Sequence, residues 1–416
     1  MPAVNPNDTK GNTDCPTCNP DKITCPACGL SKCQPAFQYD DFPSFLYPMP
    51  REQAGSIQRV DISLYICPFC GHLFQREVDE GLISDIYSNY YRYYPSDCAE
   101  EMLKSYREPF NNIFNLVTSS RVHSQGARLL EIGCSKPDNL IPFADLGFSC
   151  TGIDPSPLAL GGRSRRDIHI FSGYYETTTL EQKMDVIVSR FNLEHILDIS
   201  RYVEKITDDL KEDGLVFIQV PNIEYYFNNG QPLFVDYEHI QYFNLRSLCA
   251  LFERFGFSLI THYHDNQPSI IACFGETAFP VSLKAVSLFD RLLSFKNCIN
   301  NKREKIKKYI HTGDRIVFYG CGLSLYWILY EIKILDQSRV KIADDNPDYL
   351  GKYIPCYSLP VHKAEDSIFR DANTVVLTLN PVYHQQVIKS LEKLGLRQRI
   401  VIIGTHDIEE IALSES

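Results

Sequence analysis

The chain has 416 residues, 44% of them apolar and 22% charged, and a formal net charge of −11. That length exceeds one ordinary core and predicts two or three domains. The acidic balance argues against non-specific nucleic-acid binding, which needs a basic face, but it still admits a small anionic ligand in a locally positive pocket.

Residues 1–14, "MPAVNPNDTKGNTD", are polar and lack the apolar centre of a targeting signal. No apolar run approaches the ~20 residues of a membrane helix, so no membrane partner is expected. Fifteen cysteines without a secretory signal predict free thiols in a reducing compartment, by default the cytoplasm.

Two knuckles stand first, "CPACG" with Cys25 and Cys28 and "CPFCGH" with Cys67 and Cys70. A Cys-x-x-Cys turn sets two thiolates on one face of a tetrahedral ion, so the pair predicts a four-sulfur Zn²⁺ site. Such a site is closed, and its expected role is to fold a segment too small for its own core. Cys15 and Cys18 with Cys25 and Cys28 form a rival or second site, or Cys15, Cys18 and Cys33 are spare thiols and His72 a spare imidazole. Redox chemistry would need a strand-to-helix setting instead. The tyrosine-rich "DIYSNYYRYYPSD" follows, and packing is the ordinary use of such a cluster.

From residue 127 apolar runs of strand length alternate with helical patterns: "RLLEIG", a helix near Asn139–Leu146, "SCTGID", "IHIFSG", "MDVIVSRF", a helix over Ser200–Lys211, and "LVFIQVPN". This alternation predicts an α/β, doubly wound parallel sheet. After "LRSLCALFERFGF" come "SLITHYHD" and "SIIACFG", whose short link predicts an antiparallel pair. A doubly wound sheet with a late hairpin is the layout of class I S-adenosylmethionine (SAM) methyltransferases.

That layout assigns roles. Glu131 closes the first strand, where a carboxylate can meet the ammonium of a methionine moiety. Gly133 admits close backbone approach, and Asp154 is placed to accept ribose hydroxyls. Cys134, Ser135, Pro155, Arg190 and Asn192 complete the expected cofactor contacts. SAM carries no phosphate, so a loop with Ser135 and Pro137 in place of glycines still suffices. In "SRFNLEHILD", Asn192, Glu194 and His195 can face a substrate, or the last two can simply cap the next helix. His239 beside Glu238 lies at the carboxyl end of the sheet and is the expected general base, unless it merely ties its loop.

Residues 276–312 read as a helical linker. Beyond it "RIVFYGCGLSLYWILY", "VKIADDNPDYLGKYI", "TVVLTLN" and "RIVIIG" predict a second small α/β unit. Its turn, Gly320-Cys321-Gly322, lacks the third glycine of a dinucleotide fingerprint.

Taken in order, "CPACG…CPFCGH", "IYSNYYRYY", "LLEIG", "GIDPSP", "YEHIQYF" and "VFYGCG…ADDN" resemble the deoxysugar C-methyltransferases of antibiotic and polysaccharide pathways. The resemblance covers nearly the whole chain from about Cys25. It implies a zinc module over 1–85, a SAM domain over 86–275, and a linker with a Rossmann-like domain over 276–416. It also implies a nucleotide-linked 4-keto-6-deoxyhexose as substrate, His239 as base with Glu238 in support, and Tyr91 or Tyr93 against the 4-oxygen. An O- or N-methyltransferase of another metabolite, and a zinc-stabilised scaffold without SAM, are the competing expectations.

Overall fold

The structure, a computed structural model, describes residues 23–90, 100–156, 165–276, 288–311, 313–332, 337–393, 398–404 and 407–412. Behind the first knuckle run β1 (Gln34–Pro43), β2 (Arg59–Ile66) and β3 (Leu73–Arg76), paired antiparallel in that order. Their inward side chains, among them Phe42, Ile62 and Leu64, are buried.

The central sheet begins after a long helix, α1 (Glu100–Arg121). Its strands are β4 (Arg128–Ile132), β5 (Ser149–Asp154), β6 (Ile168–Ser172), β7 (Met184–Arg190) and β8 (Leu210–Pro221). Then β9 (Gln241–Tyr242) leaves the sheet before β10 (Ser258–Tyr263) and β11 (Ser269–Gly275) return to it. The order is β10-β11-β8-β7-β4-β5-β6. Neighbours from β6 to β8 are parallel, and β11 runs antiparallel to both β8 and β10. The expected late hairpin is present. β11 is buried at every position, because helices cover both faces and leave no side for polar alternation.

The first crossover differs from its expected form: a 3-10 turn at Pro137–Leu140 runs into a short helix, Ile141–Asp145. Helix α2 (Ile199–Asp209) starts where Asp198 accepts the Arg201 N–H, and it buries Ile199, Tyr202, Val203 and Ile206. That spacing gives one apolar stripe for the sheet. Helix α3 (Leu245–Glu253) opens with a capping box between Asn244 and Ser247.

A helix, α4 (Leu288–Tyr309), leads to the last sheet. Its strands are β12 (Ile316–Tyr319), β13 (Val340–Asp344), β14 (Tyr353–Ile354), β15 (Leu359–Lys363), β16 (Thr374–Leu377), β17 (Arg399–Ile403) and β18 (Ile408–Ala412), in the order β14-β15-β13-β12-β16-β17-β18. This is the second α/β unit, with parallel neighbours from β15 to β17. It shares a core with the N-terminal sheet: Phe42, Phe45 and Met49 join Trp327, Tyr326 and Ile354 in one apolar cluster. Met49 and Tyr353 exchange backbone hydrogen bonds at 3.1 and 2.8 Å.

One pairing decides the layout of the site. β9, from the middle of the chain, adds to the edge of β3, with Leu73 opposite Tyr242 and Phe74 opposite Gln241. The segment bearing Glu238 and His239 is thereby stitched to the cysteine module.

Candidate active site and thiolate centre

The loop after β4 is shaped by Gly133, at φ +73, whose backbone N–H bonds the Ile153 carbonyl at 2.8 Å. A Cβ there would fall 2.7 Å from Asn192 Oδ1. Ser135 sits at φ +58 and performs the turn that a second glycine makes in richer loops. Its N–H donates to Asp154 Oδ2 at 2.8 Å, and the Ser156 N–H donates to Asp154 Oδ1 at 2.8 Å. Each oxygen keeps a lone pair, so the carboxylate is oriented without being exhausted. Burial raises its pKa, against these two hydrogen bonds. Pro155 follows on the exposed side.

Glu131 is where the sequence puts it, but its first partner is protein. Arg190 Nε and a terminal guanidinium nitrogen lie 2.7 and 2.6 Å from Glu131 Oε1. Arg190 also lies over Phe110 and Phe143, at 5.0 and 5.4 Å from the ring centres. Burial raises the Glu131 pKa and Arg190 opposes it. Its Oε2 is buried with no hydrogen-bond partner among the described residues. The expectation that Glu131 meets an ammonium directly therefore narrows to that one oxygen.

Two other expected contacts have protein neighbours. Cys134 is buried, and a Cβ on Gly152 would fall 2.6 Å from its Sγ, so the thiol points into the sheet and only the backbone is left for a cofactor. Asn192 donates to the Tyr202 hydroxyl at 3.1 Å and props the glycine loop from beneath. Phe191, which sequence reasoning missed, holds φ +50, is 40% exposed and meets Tyr106 edge-to-face at 5.4 Å.

Glu194, His195 and His239 converge, with one ligand atom of each within 4.8 Å of the others. The His195 and His239 ring centres are 4.8 Å apart. Glu238 does not appear here through its carboxylate: its backbone carbonyl accepts from His195 Nδ1 at 3.1 Å. Burial pushes the Glu194 carboxyl up to about 8 and the His195 imidazole down to about 4. Burial and neighbouring His195 hold His239 well below the usual histidine value. Burial thus favours the neutral form of both imidazoles. Tyr91 and Tyr93 lie outside the described residues; from the same cluster, Tyr87 meets His195 edge-to-face at 6.0 Å.

Cys25, Cys28, Cys67 and Cys70 converge as the spacing predicts, with thiol sulfurs within 4.8 Å of one another. Cys25 lies 3.7 Å from Cys70 and Cys28 3.6 Å from Cys67, sulfur to sulfur. A tetrahedron of metal–sulfur bonds of about 2.3 Å spaces its sulfurs about 3.8 Å apart, so the set fits an S₄ ion. His72 stands apart and bonds Gln241 Oε1 at 2.9 Å. Cys15 and Cys18 lie outside the described residues. A cavity of about 430 Å³, lined by Phe227, Arg291, Phe295 and Cys298, includes none of these site residues.

Residues 102–262 match the family model of a methyltransferase domain. The central sheet has the class I fold of these domains. The chain is 25% identical over 234 residues to the C-methyltransferase NovU of Streptomyces niveus, covering 55% of this chain and 54% of that protein. It is 34% identical over 107 residues to a ubiquinone biosynthesis O-methyltransferase of Chelativorans sp. (strain BNC1), covering 24% and 42%. The chain thus spans about half or less of the curated relatives it matches. The solved Burkholderia thailandensis 1,6-didemethyltoxoflavin-N1-methyltransferase aligns at 15% identity and a TM-score of 0.38, covering 52% of this chain and 96% of that one. Among the described residues, no helix is long and apolar enough to cross a membrane.

Proposed function

We propose that the chain transfers a methyl group from SAM to a small-molecule acceptor. The observation that carries this reading is the pair of buried acids, Glu131 and Asp154, closing adjacent strands around the Gly133–Ser135 turn. A Cβ would fill the cradle at Gly133, and the unpartnered Glu131 Oε2 is an acceptor for a cationic group. Bound SAM would supply an electrophilic methyl on a sulfonium. The protein's own part is to align acceptor with donor and to exclude water. Removing the acceptor's proton falls to the group formed by Glu194, His195 and His239, whose neutral imidazoles can act at pH 7.

We further infer methylation at carbon, on a nucleotide-linked keto-deoxysugar. The similarity to a C-methyltransferase, which reaches well beyond the length of the matched domain, supports this choice. A proton next to the ketone would leave first, and the resulting enolate would attack the methyl. Relatives named as O-methyltransferases favour an oxygen acceptor as the second reading. For the thiolate centre we propose structural Zn²⁺, on its four sulfurs and closed geometry.

Isothermal titration with S-adenosylhomocysteine tests the first step. Micromolar binding is expected, and no heat at saturating ligand overturns the enzyme reading in favour of a scaffold. Solvent exchange of the C3 proton of a 4-ketosugar nucleotide, lost in His239→Ala, separates carbon from oxygen methylation; the absence of exchange in the intact enzyme removes the carbon reading.

A further inference from the structure

Acid–base chemistry alone does not account for how Glu194, His195 and His239 are built. The His195 Nδ1–H donates to the Glu238 carbonyl at 3.1 Å, so the tautomer is fixed and Nε2 presents a bare lone pair. Metal-ligating histidines characteristically donate their other N–H to a carbonyl or carboxylate in this way. His239 stands against the same ring, and Glu194 Oε1 lies 4.0 Å from His195 Nε2.

Glu194 supplies the independent observation. Its side chain is 2% exposed, and its Oε2 is buried without a hydrogen-bond partner among the described residues. A buried polar atom left unpaired costs free energy that a ligand recovers. Tyr87 meets the His195 ring edge-to-face. Two imidazoles and one carboxylate, with further positions open, form a donor set for divalent first-row metals.

We propose that Glu194, His195 and His239 form a site for one divalent cation, whose open positions face an ionisable oxygen of the methyl acceptor. The cation site stands on the donor geometry; the identity of the oxygen rests on the methyltransferase reading. The site differs in chemistry from the thiolate centre, since nitrogen and oxygen donors suit Mn²⁺ or Fe²⁺ and four sulfurs suit Zn²⁺. With the cation bound, His195 and His239 would serve as ligands in place of bases, and the cation would acidify the coordinated acceptor so that its proton passes to solvent water.

The test uses the full chain with its thiolate centre zinc-loaded, titrated with Mn²⁺ and followed by the paramagnetic resonance of free Mn²⁺. One Mn²⁺ per chain is expected. Affinity should fall about tenfold or more in Glu194→Gln and in His239→Ala, and stay unchanged in His264→Ala. Should Glu194→Gln fail to fold, Co²⁺ absorption of the intact protein decides: weak visible bands of a nitrogen–oxygen site support the proposal, and thiolate charge-transfer bands alone overturn it. Failure to retain Mn²⁺, or equal affinity in Glu194→Gln, also overturns it. S-adenosylhomocysteine is titrated into the same samples. Its binding without Mn²⁺ retention defeats the cation site alone; Mn²⁺ retention without its binding defeats methyl transfer alone.

Discussion

The Gln75 side chain donates from Nε2 to the carbonyl of His239 at 2.6 Å, and the same nitrogen lies 3.1 Å from the carbonyls of Asp236 and Tyr237. The Gln75 backbone N–H bonds the Ile240 carbonyl at 2.8 Å. A residue of the cysteine module thus holds the loop that carries His239. His72 extends the contact through Gln241, whose Nε2 donates to the Ile196 carbonyl at 3.0 Å, one residue from His195.

Replacing this amide should disturb chemistry more than cofactor binding. Gln75→Leu strips the loop carbonyls of their donor inside a buried setting, at a cost of about 2 kcal/mol. The expected result is turnover reduced about tenfold or more with S-adenosylhomocysteine affinity unchanged. Steady-state kinetics beside calorimetry read the two quantities; equal losses in both would show that Gln75 supports the whole fold instead.

The thiolate centre should transmit to the same loop. Asn244 Nδ2 donates to the Cys70 carbonyl at 3.2 Å, and the second knuckle runs directly into β3. Cys67→Ser is expected to lose one equivalent of zinc by elemental analysis. It should also raise hydrogen exchange across residues 236–242 before residues 128–132. Retention of full zinc would remove Cys67 from the ligand set.

Arg190→Met leaves the buried Glu131 carboxylate without its counter-charge. Breaking such a pair costs about 3 kcal/mol, because the remaining charge stays desolvated. Urea unfolding should register that loss, and adding Glu131→Gln should recover most of it. If the double variant is no more stable than Arg190→Met, the pair is not the source of the effect.

Asp154→Ala removes the proposed ribose acceptor and also the clasp on the Ser135 and Ser156 N–H groups. Hydrogen bonds to charged groups are worth about 1.5–3 kcal/mol, so S-adenosylhomocysteine affinity should fall about tenfold or more. Calorimetric binding at wild-type strength would exclude Asp154 from the cofactor site.

Acid stability should depend on Asp185. Burial alone would raise its carboxyl, but Lys211 Nζ at 2.5 Å and the Arg128 N–H at 2.9 Å bring it net below the usual carboxylate value. A lowered folded pKa gives stability that is present above the unfolded value and is lost as pH falls through the folded one. Asp185→Asn should therefore reduce stability at pH 7 by about 1 kcal/mol, a figure discounted for partial exposure. Thermal melts between pH 7 and pH 3 should show a shallower acid limb in the variant; parallel curves would contradict the assignment.

The alternation of apolar runs from Leu129 to Phe274 determined a doubly wound sheet with a late hairpin, because strand and helix periods are local properties of the chain. The two Cys-x-x-Cys turns likewise determined the thiolate set, since each turn fixes a pair of sulfurs over four residues. Asp154 and Gly133 were legible from their places at strand ends. Ser135 in a left-handed turn was not, because nothing in its neighbours announces a positive φ. Only the tertiary structure paired Glu131 with Arg190, brought Glu194 beside His239, and set β9 on the edge of β3. These contacts join residues tens to well over a hundred positions apart, and burial selects among many charge pairs that the sequence equally permits.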